Sequence, residues 1–413
     1  MNIVSRIQDF NADREPERLR LKYAKMRADP FSFLRGTCHL FYDRLPNDGV
    51  FRSAPLAWIC GDLHLENFGS YRGQTRLVYF DINDFDEALL APLSWDLARV
   101  LTSVWIGAGT VAIRRAEAHA LCTEFLNAYA SSLSIGKSYW IERDLARGLI
   151  GKLLEGLRNR HRPEFVHSRT EMKGGKRVLR IDGKKALAAS EAERAHAMGL
   201  VAGFAKTLPD PSYYEVLDVA RRIAGTGSLG VERYVLLVRG SDSNNLLDLK
   251  RAMPSSLAAH VPAKQPKWRS EAHRVASLQF RTQAVSMAHL RPLVHGKASY
   301  VLRNLQPLED RVELQRTGQT FHELCHLLAT LGRIVAWAHL RGAGREGAAG
   351  ADELIRYAER SKWKQQLLEA SEDCASRVRR DSDLFNAAYD AGVFGGAGRA
   401  QAKASKTASR RST

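Results

Sequence analysis

The chain has 413 residues, 45% hydrophobic and 26% charged, which is long enough for two or three lobes with buried cores and reads as an ordinary soluble globular protein. Five scattered cysteines (38, 60, 122, 325, 374), never spaced as CxxC, exclude a disulfide framework and a cysteine zinc site. The net charge is +17, twelve of it in two stretches: 156–185, with ten Lys/Arg against three acids, and 398–413, with five against none.

Residues 1–50 predict helices, with PFSFLRGTCHLFYDRL (30–45) carrying apolar residues at helical spacing. The charged start lacks the apolar core of a signal peptide. The longest uncharged run, 100–113, is shorter than the ~20 residues of a membrane span. A cytoplasmic protein without a membrane span is therefore expected.

Strand signals then surround WICGDLHLENFG (58–69), which crowds Asp62, His64, Glu66 and Asn67 into one loop, and VYFDINDFDEALLAP (78–92), which carries Asp81, Asp84, Asp86 and Glu87. SWDLARVLTSVW (94–105) predicts a helix capped by Ser94, and another helix spans about 112–133. In the basic stretch, EMKGGKRVLRIDGKKAL has Gly-Gly and Asp-Gly turns suited to a small hairpin. It could attract an acidic acceptor or nucleic acid, although a charge run is more often a solvated face. From 216 onward, Val, Leu, Tyr and Gly predict a sheet. HELCHLLATLGRIVAWAHLRG (322–342) predicts a helix buried through 324, 325, 328, 331, 335 and 338, and helix continues to about 390. The tail from 393 has the composition of a disordered basic segment.

An Asp beside a strand end can take a proton from a hydroxyl, and an amide oxygen a few residues later can hold a metal; this is the division of labour in a phosphoryl-transfer loop. Asp62 and Asn67 have that spacing, and Asp84 after the next strand completes a magnesium site, with Asp81 as its rival. His64 reads as a hydrogen-bond donor bracing the loop. GTGSLG (225–230) is followed by VERYVLLVRG, which alternates like a strand, so a Rossmann turn is excluded, as is a Walker loop by Val231. A glycine-rich hairpin remains, with Gly225, Gly227, Ser228 and Gly230 laid over phosphates, and Lys250 lies on the next strand. The alternative for each is a polar or glycine turn and a solvent-facing lysine.

GDLHLEN (61–67), DFDEA (84–88) and PLSWDLA (92–98), in that order over 38 residues, resemble the catalytic core of aminoglycoside phosphotransferases and related small-molecule kinases. The resemblance implies Asp62 as catalytic base, Asn67 and Asp84 as magnesium ligands, and Asp96 as a buried carboxylate bracing the catalytic loop. With DPFSFLRG (29–36), LDLKRA (247–252), YVLRNLQPLED (300–310) and AWAHLRG (336–342), the chain from about 14 to 390 also resembles the bacterial family called domain of unknown function 2252. It departs from that family at Arg251, where Glu is usual, and in RVASLQFRTQ (274–283), which lacks an acid; Glu271 is the nearest candidate partner for Lys250.

These resemblances imply an α+β, two-lobed protein-kinase-like fold, circularly permuted because the glycine loop follows the catalytic loop. The expected divisions are a helical catalytic lobe with the basic hairpin (1–210), a glycine-loop and lysine sheet lobe (211–312), a helical segment returning to the first lobe (313–392), and the tail (393–413). Residues 300–310 are expected as the hinge, and AWAHLRG beneath the catalytic loop. The implied activity is ATP- and Mg2+-dependent transfer to an unidentified hydroxyl. Rivals are a non-catalytic nucleotide-binding module, a metal-dependent phosphoesterase, which lacks the Gly-Asn-His it needs, and a nucleic-acid binder. If the permutation holds, the Lys250 ammonium lies within about 10 Å of the Asp84 carboxylate, with Asp62 at the cleft's open end.

Overall fold

The computed structural model describes residues 2–157, 162–305, 311, 314 and 318–395. The chain is a mixed α+β protein in which a large helical body carries a six-stranded antiparallel sheet on one side. The body is organised around the apolar helix Ser94–Thr110, which packs against Arg115–Ile135 and the long helix Lys362–Asp390. Helix Phe321–Gly342 packs closely along Arg115–Ile135, where Gly332 comes so near the Phe125 carbonyl that a Cβ would clash. Its N-terminus is a capping box of Thr320 and Glu323, and its buried stripe includes Leu324, Leu328, Leu331, Val335 and Ala338, with Leu327 and Ile334 added and Cys325 at the edge.

Two small two-stranded antiparallel sheets sit on this body: strand Leu56–Ile59 pairs with Leu89–Pro92, and between them in the chain the hairpin Phe68–Arg72 pairs with Val78–Ile82. Together they present the loops 60–67 and 83–88 side by side. The helix at 94 is capped by Leu93, not Ser94; Ser94 is already helical and its hydroxyl is fully buried. PFSFLRGTCHLFYDRL forms two short helices, Pro30–Gly36 and Cys38–Asp43, broken at Thr37, whose hydroxyl donates to the Phe33 carbonyl.

In sheet order the strands are Arg291–His295, Ala298–Asn304, Asn245–Arg251, Arg233–Val238, Val216–Arg222 and Ala186–Ala188. The period of two divides the residues cleanly. Tyr234, Leu236, Leu247, Leu249 and Leu302 face helix Glu191–Ala205. The other face carries Val235, Leu237 and Leu246 at one end, covered by Val166 and Leu179, and at the other end Arg222, Arg233, Lys250 and Arg303. Residues 162–205, which the sequence groups with the first lobe, thus pack on this sheet. The basic hairpin is Thr170–Lys173 with Lys176–Leu179, turning at Gly174 and Gly175, and Leu179 N–H donates to Asp218 at 2.7 Å. Part of the basic stretch, 158–161, lies outside the described residues.

The expected hinge is in its first half the strand Ala298–Asn304; residues 306–310 lie outside the described residues. The tail is ordered further than its composition suggests, since Phe394 is buried at 4.7 Å from both Tyr23 and Phe385. Residues 396–413 lie outside the described residues. Among the described residues no helix is long and apolar enough to cross a membrane.

His39 makes a pH test of this core. It is fully buried, stacks on Phe10 at 3.7 Å, and neither ring nitrogen has a hydrogen-bond partner among the described residues. Burial, then Lys22 and Arg6, push its imidazole down to about 2. The unfolded chain takes up a proton near the ordinary histidine value and the native chain does not, so stability falls as pH drops below about 6.5. The expected loss is about 2 kcal/mol between pH 6.5 and 5. Urea unfolding across that range checks it, and His39→Phe should flatten the slope by about one proton.

Candidate active site

The loop Cys60–Asn67 is held by one carboxylate. Asp96, in the first turn of the helix Ser94–Thr110, accepts from the N–H groups of Cys60 and Gly61, both at 2.8 Å. His339, from AWAHLRG, approaches the same carboxylate at 3.5 Å, so the helix Phe321–Gly342 packs against the group that holds the loop. Gly61 has φ +83 and a Cβ there would sit 2.5 Å from the Glu87 carbonyl, so no other residue lets the two loops touch.

Asp62 follows at the turn. One of its oxygens takes two hydrogen bonds from Arg99, 2.6 and 3.1 Å, and Arg99 is fully buried. Burial raises the Asp62 carboxyl above the ordinary aspartate value, against the pull of Arg99. Its other oxygen faces the glycine loop: a Cβ on Gly227 would lie 4.0 Å from it. His64 is buried and neutral, since burial, then Arg35 and Arg99, lower it well below the ordinary value. It braces the loop as an acceptor, taking the Glu66 N–H on Nδ1 at 3.2 Å, where the sequence suggested a donor. Asn67 ends a short 3-10 turn; its amide donates to the Asp62 carbonyl at 2.6 Å, and its own carbonyl accepts from Asn83 N–H at 3.0 Å. That last bond sets the acidic loop against the Asp62 loop.

Of the two rival aspartates, Asp84 lines the cleft and Asp81 does not. Asp81 is buried, accepts from Ile82 and Ala284 N–H, and pairs with Arg341 at 3.1 Å. Asp84 keeps one oxygen buried and without a hydrogen-bond partner among the described residues. Burial acts to raise its carboxyl, but Lys250, Arg303 and Arg233 outweigh it and hold the group below the ordinary value.

GTGSLG is the turn between strands Val216–Arg222 and Arg233–Val238, and it opens no helix. Ser228 Oγ donates to Ala224 O at 3.0 Å and closes the turn. Lys250, on the adjacent strand, is buried, with its ammonium 3.9 Å from Asp84 and ion-paired to Asp86. Residues 166 positions apart thus meet under the glycine loop, in one cleft of about 360 Å³ that Asp62, Asn67 and His64 also line. Glu271 is not the partner of Lys250: it pairs with Arg274 at 2.6 Å. The inward position of helix Glu271–Thr282 is instead Arg274, which donates to the carbonyls of Ala88, Asp86 and Met253 at 2.6, 2.8 and 3.0 Å. The helix therefore positions the acidic loop, and that loop supplies the acid.

Residues that the motifs did not point to complete the site. Arg99 is one turn after Asp96, so both meet the same loop, and that spacing was a usable signal. Asp248 is fully buried beneath the cleft roof and binds Arg222 at 2.9 Å, Arg233 at 2.6 Å and Arg303 at 3.4 Å. Arg303 also donates to the Asn83 carbonyl at 3.1 Å, and Arg233 reaches Ser228 at 3.4 Å, so the cluster ties the glycine loop to the acidic loop. Arg14, Lys22 and Arg35, all from before residue 58, also line the cleft. Among the described residues no group of three or more His, Cys, Asp or Glu side chains is arranged to hold a metal ion.

Residues 14–388 match the family model described as an uncharacterized protein conserved in bacteria, domain of unknown function 2252 (DUF2252). The match covers most of the chain, and the protein belongs to that family. No curated protein and no solved structure matches the chain.

Proposed function

We propose that the protein is a kinase-like phosphotransferase that moves the γ-phosphate of ATP to a hydroxyl acceptor. The observation that carries this reading is the convergence of Lys250, Asp84 and the glycine loop on one cleft that Asp62 also lines. A lysine and an acidic metal site must reach one triphosphate, and sequence proximity does not require them to meet. The permuted two-lobe arrangement, with the sheet as the nucleotide lobe, is part of the same proposal.

Asp84 and Asn67 would hold magnesium; an ionised carboxylate with an unpartnered buried oxygen suits a hard cation that keeps most of its water and phosphate ligands. Bound there, the metal would neutralise charge on the transferring phosphate. Lys250 would leave Asp86 for the phosphate chain, and Asp62, oriented by Arg99, would take the acceptor's proton. The Lys250–Asp86 pair also favours a second reading, a nucleotide-binding module without turnover, in which that ion pair persists.

Purified protein with labelled ATP and Mg2+, read for self-labelling and for transfer to a cell extract, tests the first reading; binding without transfer favours the second. Thermal stability is expected to rise with ATP and Mg2+ together, by about 2.7 kcal/mol at a hundredfold excess over Kd. Asp84→Asn should remove the Mg2+ dependence of that rise and Asp81→Asn should not. The reverse pattern would move the metal site to Asp81, and no rise at millimolar nucleotide would remove both readings.

A further inference from the structure

The N-terminal segment places two basic groups in the cleft, Arg14 and Lys22, that make no ion pair among the described residues. Lys22 is fully buried in helix Pro16–Ala28, yet its ammonium has only Asn11 Oδ1 at 3.0 Å and the Gly227 carbonyl at 3.2 Å. Arg14 spends one nitrogen, Nη1, on the carbonyls of Gly227 and Leu229, at 2.5 and 2.7 Å. Among the described residues its Nε and Nη2 have no hydrogen-bond partner and neither Arg14 nor Lys22 has an ion-pair partner; both lie over the Phe10 ring, at 5.5 and 6.0 Å from its centre. Asp62 and Glu87 lie across the same cleft without closing to ion-pair distance. The contact is built: Gly230 has φ +86, and a Cβ there would stand 2.8 Å from Arg14 Cβ, so the glycine is what lets the arginine lie against the loop. Burying an unpaired cation costs several kcal/mol or drives the group toward its neutral form, and burial does lower Lys22 well below the ordinary lysine value and Arg14 to about 10; an anion bound between them would favour the charged forms.

We infer that Arg14 and Lys22 form an anion-binding pole against the glycine loop, in the cleft that Lys250 also lines, and that it takes a phosphate-type anion. The free Arg14 fork and the third Lys22 N–H are the donors, and the anion replaces loop carbonyls that only partly satisfy them. This goes beyond transfer, because binding at the pole needs no turnover, no magnesium and no nucleobase. Two sources share the chemistry: the phosphate chain of a nucleotide, or a phosphate carried by the acceptor.

The test is calorimetric titration of the whole protein with inorganic triphosphate at fixed ionic strength, without Mg2+. Saturable binding is expected, weakened about tenfold to a hundredfold by Arg14→Met and by Lys22→Met, with Arg14→Lys recovering part of the loss. Should a Met variant fail to fold, the Arg14→Lys titration still decides the matter, since wild-type affinity for triphosphate in that variant and in Lys22→Arg would overturn the inference. Competition with ATP assigns the pole to the nucleotide's phosphates. Simultaneous binding of both, with glycerol 3-phosphate competing against triphosphate, assigns it to the acceptor. No binding by the wild type at millimolar triphosphate, or wild-type affinity in folded Arg14→Met and Lys22→Met, overturns the inference. Triphosphate binding in a protein that never transfers phosphate would leave it standing and remove the transfer reading alone.

Discussion

Asp62→Asn is expected to lower phosphoryl transfer by about 10²–10⁴-fold while leaving nucleotide affinity within a few-fold. The substitution keeps the shape and removes the group that the proposed function assigns to the acceptor's proton and not to the nucleotide. It also takes the counter-charge from Arg99, which is fully buried and whose other partner is the Leu34 carbonyl at 2.7 Å. A stability loss of about 2–3 kcal/mol should accompany it, so transfer is to be compared at a temperature where both proteins are fully folded. A pH profile separates the two effects. The base works only when ionised, and burial raises its carboxyl, so wild-type transfer should fall on the acid side at a pH above the ordinary aspartate value. Transfer by folded Asp62→Asn at the wild-type rate would take the base assignment away.

Asp248→Asn is expected to be the most destabilising single substitution at the site, by about 3–5 kcal/mol. Three guanidinium groups, Arg222, Arg233 and Arg303, share that one fully buried carboxylate, and the amide would leave their charges facing one another in the interior. Burial alone would raise Asp248, but the arginines hold it well below the ordinary value. A group depressed in the folded state stabilises above its unfolded value and loses that contribution as pH falls through the folded one, so the wild type should weaken progressively below about pH 4. Guanidinium chloride unfolding at neutral pH measures the difference. A loss under about 1 kcal/mol would mean that the arginines are satisfied without the carboxylate.

The elements that local patterning specifies were legible: the strand-loop-strand units around 58–82, the helix after Leu93, the glycine turn between two strands, and the buried stripe of Phe321–Gly342. The meeting of Lys250 with Asp84 was legible only through the resemblance of their motifs to those of phosphotransferases, not through any local pattern. What was not legible is long-range or runs against type. Within RLRLKYAKMR, Arg18 and Lys22 are buried although charged residues are seldom so: Lys22 is held by Asn11 and the glycine loop, and Arg18 pairs with Glu15. Glu271 looked like the lysine's partner because acids pair with lysines; the helix instead turns Arg274 inward to bind carbonyls, a role that composition does not signal. The strand Ala186–Ala188 is too short to stand out, and joins the sheet only because Val216–Arg222 offers it an edge. Ser94 had the chemistry of a cap and was passed over because Leu93 sits one residue nearer the preceding strand.

Lys22 and the Gly227 carbonyl that receives it are 205 residues apart in the chain. A ribosome adding about 5–20 residues per second makes the second partner roughly 10–40 s after the first. Throughout that interval the lysine has no interior to enter, and the cleft lacks its roof, its glycine turn and its lysine. A chain that stops short of residue 227 therefore carries the whole GDLHLEN segment without the loop that faces it, and the helical body is completed later still, since Phe321–Gly342 and Lys362–Asp390 are made after the last strand of the sheet.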